Sequence, residues 1–131
     1  ALLRAARATG NTQWETRALE ILEHSATRTD PEKEGVADAG ICHGAAGMAH
    51  CFMHLFRQTG RTGFARTAGF WLNYTLEKSC HSDGPAGYKA LQEKGFVDEY
   101  GILNGIAGIG LTIMSALSNE KPTWDTGLLL S

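Results

Sequence analysis

The chain has 131 residues, a length that suits one domain with a moderate core. Its formal net charge of −2 gives no electrostatic case for binding nucleic acid or an anionic membrane surface. No apolar run approaches the ~20 residues of a transmembrane helix. The three cysteines, an odd number without a recognisable signal peptide, predict reduced thiols and a cytoplasmic location.

The first segment of the chain is short and apolar, and it ends at Thr9-Gly10. The same dipeptide recurs as Thr59-Gly60, and each copy is followed by an amphipathic helix pattern. Residues 1–8 are therefore predicted to be the last turns of a helix that begins upstream. We expect the chain either to be a fragment of a longer protein, which is the preferred interpretation, or to pack against another copy or another chain. The apolar stripes of the two amphipathic helices are Trp14, Ala18, Ile21, Leu22 and Ser25, then Phe64, Ala68, Trp71, Leu72, Thr75 and Leu76.

A glycine-rich turn at 40–47, with the sequence GICHGAAG, carries the strongest chemical signal. Cysteine and histidine are the side chains that zinc favours, and a helix N-terminus stabilises a thiolate. Gly44 and Gly47 lack side chains, so other backbone or a substrate can approach closely. The turn therefore predicts a metal site at Cys42 and His43, although a buried cysteine is more often a small hydrophobe.

The helix that follows this turn is apolar nearly all round, which predicts burial on every side. His50 and His54 form an i, i+4 pair within it that could bind a metal. His50 lies about 10 Å along the helix from His43, at ~1.5 Å per residue, too far to join the same ion. We interpret the pair as polar residues satisfied between helices, and Cys51 as part of the core.

A second Cys-His pair, Cys80-His81, serves as a comparison. It comes at the end of a helical pattern and is followed by a loop at 82–85. Because the helix dipole there opposes a thiolate, the pair is interpreted as a helix end and a loop residue.

The glycine turn repeats 61 positions later as GILNGIAG, in which Gly40, Gly44 and Gly47 align with Gly101, Gly105 and Gly108. Leu103 and Asn104 replace the cysteine and histidine, so the second turn lacks metal ligands and is expected to close a ring of hairpins. Asp38 and Glu99 also align; they could act as acids, but capping is the preferred interpretation.

The chain thus alternates an inner helix, a short turn, an outer helix and a longer loop. A repeated αα-hairpin is the unit of helical solenoids and toroids, so the sequence predicts an all-α fold. No convincing strand pattern is present, although residues 127–130 could form a short extended tail.

Three features together resemble the C-terminal part of the lanthionine synthetase C-like cyclases: the turn at 42–47, the turn at 103–108, and Trp124-Asp125 before a leucine run. The resemblance implies an α/α toroid, an inner ring of helices surrounded by an outer ring. Residues 1–131 would be roughly its last third, about three αα-hairpin units of which the first is incomplete.

The same resemblance implies one catalytic Zn²⁺, held by two cysteines and one histidine with the fourth position open. Cys42 and His43 match the second cysteine and the histidine. The family's first cysteine, its acid/base histidine and the partner aspartate have no match in this chain. The implied reaction adds a peptide cysteine to dehydroalanine or dehydrobutyrine, which gives lanthionine or methyllanthionine.

The implied partners are a dehydrated lanthipeptide precursor and a dehydratase, either separate or fused. For the 131 residues alone, we expect weak zinc binding, or zinc completed by Cys80, and no cyclase activity. Two alternatives stay open. One is a non-catalytic relative that binds zinc and a thiol such as glutathione. The other is a carbohydrate-active α/α-toroid enzyme that depends on Asp98 or Glu99.

Overall fold

A computed structural model describes residues 1–118 and 120–128. Within them lie five α-helices, a two-stranded hairpin and two short 3₁₀ helices. The α-helices are α1 (Leu2–Thr9), α2 (Thr12–Ala26), α3 (Ala45–Thr59), α4 (Thr62–Glu77) and α5 (Ile106–Leu117). The strands are β1 (Ala90–Gln92) and β2 (Gly95–Val97), and the 3₁₀ helices are Pro85–Gly87 and Trp124–Leu128. The prediction of an all-α fold is confirmed. No helix in this part of the chain has the length and apolar character needed to cross a membrane.

The predicted match between the first two helix pairs is confirmed in the backbone. Helices α1 and α3 both end at a glycine in the left-handed conformation, Gly10 at φ +66° and Gly60 at φ +68°. Glycine adopts this conformation without the steric cost that a Cβ would add, so it ends the helix and turns the chain into the next one. The outer helices α2 and α4 begin two residues later in each case.

Helix α3 lies at the centre of the structure and packs against both α4 and α5. Its contact with α4 forms the larger core, in which Trp71 and Phe64 are fully buried. The predicted stripe of α4 is therefore confirmed, apart from Leu76, which is exposed. A smaller core joins the first glycine turn to α5, through Ile41 and Ile109 among others.

The stripe predicted for α2 is confirmed only in part. Ala18 is buried and Leu22 packs against the larger core, but Trp14 and Ile21 are each 48% exposed. Helix α2 packs chiefly on the short α1 and only lightly on α4, so too little chain covers these large side chains.

The inner helices are also less buried than predicted. On α5, Met114 is 66% and Leu117 84% exposed, and on α3 the Cys51 thiol is exposed instead of lying in the core. A helix that is apolar all round buries only the faces that other elements cover, and α3 and α5 each have a face that nothing among the described residues covers.

The sequence showed no convincing strand pattern, but the structure contains two short strands. Strands β1 and β2 form an antiparallel hairpin in which Leu91 pairs with Phe96. Each strand has three residues, too few for an alternating pattern to stand out. The prediction of an extended tail at 127–130 is wrong for Gly127 and Leu128, which lie in a 3₁₀ helix. Residues 129 and 130 are outside the described residues.

Candidate functional site

The first glycine turn folds tightly back on the start of α3. A Cβ added at Gly47 would lie 1.9 Å from the carbonyl oxygen of Ile41, and one at Gly44 would collide with the backbone of Gly40. Only glycine fits at these two positions. The expectation of a close approach is confirmed, and the group that approaches is the backbone of the turn itself.

The second glycine turn is built in the same way. A Cβ at Gly108 would lie 1.9 Å from the carbonyl oxygen of Ile102, and one at Gly105 would collide with the backbone of Glu99. The amide of Ile106 donates to the carbonyl of Glu99 at 3.0 Å, as the amide of Ala45 does to that of Asp38. The repeat seen in the sequence is therefore a repeat in three dimensions.

Asp38 and Glu99 cap these turns. The Oδ1 atom of Asp38 accepts from the amide of Gly40 at 3.0 Å, and Oε1 of Glu99 accepts from the amide of Gly101 at 3.1 Å. Capping was the preferred interpretation, and the structure refines it: the carboxylates hold the amides of the turn, not those of the helix. Asp38 also accepts through Oδ2 from the amide of Leu91 at 2.9 Å, which ties β1 to the turn.

The two carboxylates of the carbohydrate-enzyme alternative have structural partners. Glu99 is occupied by the turn, and Asp98 lies 3.5 Å from the ammonium of Lys89. Lys89 also pairs with Asp83 at 2.7 Å. These carboxylates therefore help to hold the loop between α4 and α5.

Cys42 and His43 are exposed neighbours on this rigid turn. The Leu103 carbonyl of the second turn accepts from the amides of Ile41 at 2.7 Å and Cys42 at 2.9 Å, so one turn supports the other. The Nδ1 atom of His43 lies 3.9 Å from Oδ1 of Asp38, a separation beyond a direct hydrogen bond. An exposed thiol and an exposed imidazole on adjacent residues are the side-chain types that zinc uses as ligands.

The two other thiols lie in different surroundings. Cys80 is exposed in the loop after α4, and the amide of its neighbour His81 donates to the carbonyl of Gly87. This agrees with the interpretation of Cys80 and His81 as helix end and loop. Cys51 reaches the surface, but desolvation by its neighbours raises the pKa of its thiol. Cys51 is thus poorly disposed to act as a thiolate.

A second cluster of ligand-type side chains lies inside the molecule. Both His50 and His54 direct Nε2 at the same oxygen, Oδ2 of Asp125, with the His50 contact at 2.8 Å. The exposed fraction of the side chain is 0% for His50, 7% for His54 and 0% for Asp125. The prediction that both histidines are satisfied is confirmed for their Nε2 atoms alone, because Nδ1 of His50 is buried without a partner, and the shared partner comes from the 3₁₀ helix near the end of the chain. Trp124-Asp125 was noted in the sequence for its resemblance alone, and nothing local signalled the pairing.

Aromatic and polar contacts enclose this cluster. The Trp124 ring lies 4.7 Å from that of His50, and its Nε1 donates to Oγ of Ser115 on α5 at 3.0 Å. Arg57 donates to the carbonyls of Ser115 at 2.6 Å and Ser118 at 3.2 Å. The cluster therefore fastens the final helix onto both α3 and α5.

Burial sets the charges in the cluster. It lowers the pKa of His50 and outweighs the opposing hydrogen bond to Asp125. Burial would raise the pKa of Asp125, but the hydrogen bonds from His54 and His50 outweigh it, and the pKa is lowered. At neutral pH an ionised carboxylate therefore faces a neutral His50.

These shifts predict that acid destabilises the fold. Both groups bind a proton in the unfolded chain at a pH where the folded chain does not, so stability falls as the pH falls. The loss of stability begins near pH 6.5, the ordinary pKa of histidine, because His50 becomes protonated there in the unfolded chain. The loss becomes steeper below pH 3.8, the ordinary pKa of aspartate, because Asp125 is then protonated in the unfolded chain.

Urea unfolding as a function of pH measures this loss. The midpoint should drop between about pH 7.5 and 5.5 and drop further near pH 3. In the Asp125→Asn variant the drop below pH 4 should be smaller. A midpoint that stays constant from pH 7.5 to 5.5 would contradict the assignment.

The family comparison agrees with this architecture. A family model described as lanthionine synthetase C-like protein matches residues 1–129. The match covers both glycine turns as well as the 3₁₀ helix that carries Asp125. It therefore spans almost the whole chain, and it names the same family as the resemblance found in the motifs.

Proposed function

The chain belongs to the lanthionine synthetase C-like family, and on this premise we propose that it supplies part of the zinc site of a thioether-forming peptide cyclase. The substrate is a dehydrated lanthipeptide precursor, made by a dehydratase that is separate or fused. The products are lanthionine and methyllanthionine rings. The proposal extends to this chain an activity that the motif resemblance implies for the family.

One observation carries the proposal: Cys42 and His43, adjacent in the chain, are both exposed on a turn whose glycines pack tightly on backbone. Gly44 and Gly47 let the turn pack on its own backbone, and Leu103 holds it from the neighbouring turn. Such support fixes ligand positions, which a metal site requires. The second turn has the same backbone without ligands, so the cysteine and histidine are not needed to form the turn.

In the proposed reaction the peptide thiol loses its proton and forms a C–S bond to the β-carbon of the dehydroamino acid. The C=C π bond breaks, and a proton adds to the α-carbon, so atoms balance without an oxidant or reductant. Bound zinc supplies Lewis acidity that makes the peptide sulfur a thiolate at neutral pH. Cys42 and His43 hold that ion, and Asp38 and Leu103 position the turn.

Asp38 is the buried carboxylate nearest His43. Zinc-bound histidines commonly donate a hydrogen bond from the second ring nitrogen to a carboxylate, and at 3.9 Å a small ring movement would make one here. We therefore treat Asp38 as a positioning residue for the turn and for His43.

Metal binding tests the assignment of the ligands, and the chain offers a matched control. Cys42→Ala should lower zinc affinity at the Cys42–His43 site by at least about 100-fold, because losing a ligand should cost more than the 10- to 100-fold effect of losing a residue that only orients a ligand. Cys80→Ala removes an equally exposed thiol that also precedes a histidine, and it should leave the affinity unchanged. Competition with a chromophoric chelator measures both. Equal zinc affinities in the two variants would show that Cys42 is not a zinc ligand.

Ring formation tests the reaction itself. The addition leaves the peptide mass unchanged, so the assay counts peptide thiols that still react with N-ethylmaleimide. In the protein that carries this chain together with the remaining family ligands, thiols should disappear with time, and Cys42→Ala should stop the loss. The isolated 131 residues should show no activity. Retained zinc and thiol binding with no loss of peptide thiols would instead identify a non-catalytic, glutathione-type binder.

A further inference from the structure

We propose that His50, His54 and Asp125 form a second metal site, structural and separate from Cys42 and His43, that takes a divalent transition metal of the zinc class. The site would bind the 3₁₀ helix at Trp124–Leu128 to α3. The proposal rests on the geometry of the buried cluster and is independent of the cyclase function.

The ligand set is the first argument. Two imidazoles and one carboxylate are ligands that zinc uses in proteins, and His50 and His54 project from one helix face at i, i+4. Their Nε2 atoms and a carboxylate oxygen of Asp125 lie within 4.8 Å of one another. In residues 1–118 and 120–128 this is the one group of three such ligands that the fold brings together.

The unused oxygen of Asp125 is the second argument. Both imidazoles converge on Oδ2, while Oδ1 is buried without a hydrogen-bond partner among the described residues. A buried acceptor left without a partner is costly. A metal held by both carboxylate oxygens and both Nε2 atoms would have four donor atoms and would satisfy Oδ1. The Nδ1 atom of His50 is unpaired in either arrangement and does not discriminate between them.

Charge is the third argument. The carboxylate side chain of Asp125 is fully buried. Arg57, on the same helix as the two histidines, donates to two backbone carbonyls. A buried anion requires compensation, which a divalent cation would supply directly.

The space required is small. Ligands at about 2.0–2.2 Å from a tetrahedral ion lie roughly 3.3–3.6 Å apart, against 2.8 Å between His50 Nε2 and Asp125 Oδ2. Because the contact of His54 Nε2 with Oδ2 is shorter still, Asp125 would have to move by about 1 Å to open the site, and it lies on a short 3₁₀ helix. A groove of about 340 Å³ between α1, α2 and α3 is lined by His54, so one of the three residues lies at the edge of a groove that is open to solvent.

Cobalt(II) binding by the full chain tests the proposal, because its spectrum separates the two sites. Cobalt at Cys42 gives sulfur-to-cobalt charge transfer in the near ultraviolet, whereas cobalt at the buried cluster gives visible d–d bands alone. The Cys42→Ala variant should still bind one equivalent with d–d bands, and the metal should raise its unfolding midpoint.

Adding Asp125→Asn to that variant should weaken binding by about 100-fold or more, because a first-shell ligand is lost. Asparagine keeps the shape and can still accept a hydrogen bond from a histidine. Should this variant fail to fold, His54→Gln replaces it. His24→Ala removes an exposed histidine and should change nothing. Loss of all cobalt binding in Cys42→Ala, or equal affinity with and without Asp125, would overturn the proposal. If cobalt in the unmodified chain gives d–d bands without the sulfur charge-transfer band, the buried metal site is supported and the assignment of zinc to Cys42 is contradicted.

Discussion

Gly47→Ala should destabilise the chain by at least about 3 kcal/mol, at or beyond the upper end of what overpacking costs. The added Cβ would lie 1.9 Å from the carbonyl oxygen of Ile41, and backbone cannot rotate away as a side chain can. The turn that presents Cys42 and His43 would have to move off the start of α3. Urea unfolding measures the stability loss, and chelator competition should show weaker zinc binding in the same variant.

Gly69→Ala is the matched control. Gly69 lies within α4, is exposed, and has nothing within 4 Å of an added Cβ. Alanine in a helix interior is favoured over glycine, so this variant should gain about 0.5–1 kcal/mol. If the two substitutions have similar effects on the unfolding free energy, the turn is not packed as described.

Asp125→Ala should cost about 2–6 kcal/mol, because it leaves two buried imidazole N–H groups without an acceptor, at about 1–3 kcal/mol each. His50 and His54 would both lose their acceptor inside the molecule, and the final 3₁₀ helix would lose its attachment to α3. Measured with a chelator present, the change reports the hydrogen bonds alone. Native-state hydrogen exchange should also show earlier opening of residues 124–128.

Asp83→Ala is the comparison for that variant. The Asp83 side chain is 75% exposed and pairs with Lys89 at 2.7 Å. Exposed ion pairs contribute about 0–1 kcal/mol, so this loss should be small. A cost for Asp125→Ala below about 1 kcal/mol would mean that the buried cluster adds little to stability.

Local patterns predicted most of the helical architecture. The spacing of Phe64, Ala68 and Trp71 indicated the buried face of α4, and the two Thr-Gly pairs indicated the ends of α1 and α3. These features depend on helix periodicity and on glycine backbone freedom, which act over a few residues.

The same patterns overstated burial where the covering element matters. Trp14 and Ile21 lie on a regular helical stripe, yet α2 is only partly covered. Cys51 lies in an apolar helix but reaches the surface. Periodicity shows which face is apolar, whereas burial depends on which other segment packs against that face.

The amino-acid sequence by itself determined the helix pairs, the two glycine turns and the placing of Cys42 and His43 on the first of them. The steric demand of each turn is local, since Gly44 and Gly47 meet backbone only a few residues away. The tertiary structure alone decided the partner of the two buried histidines. Asp125 lies 75 and 71 positions from them, and no local pattern encodes a contact made when α3, α5 and the final 3₁₀ helix pack together.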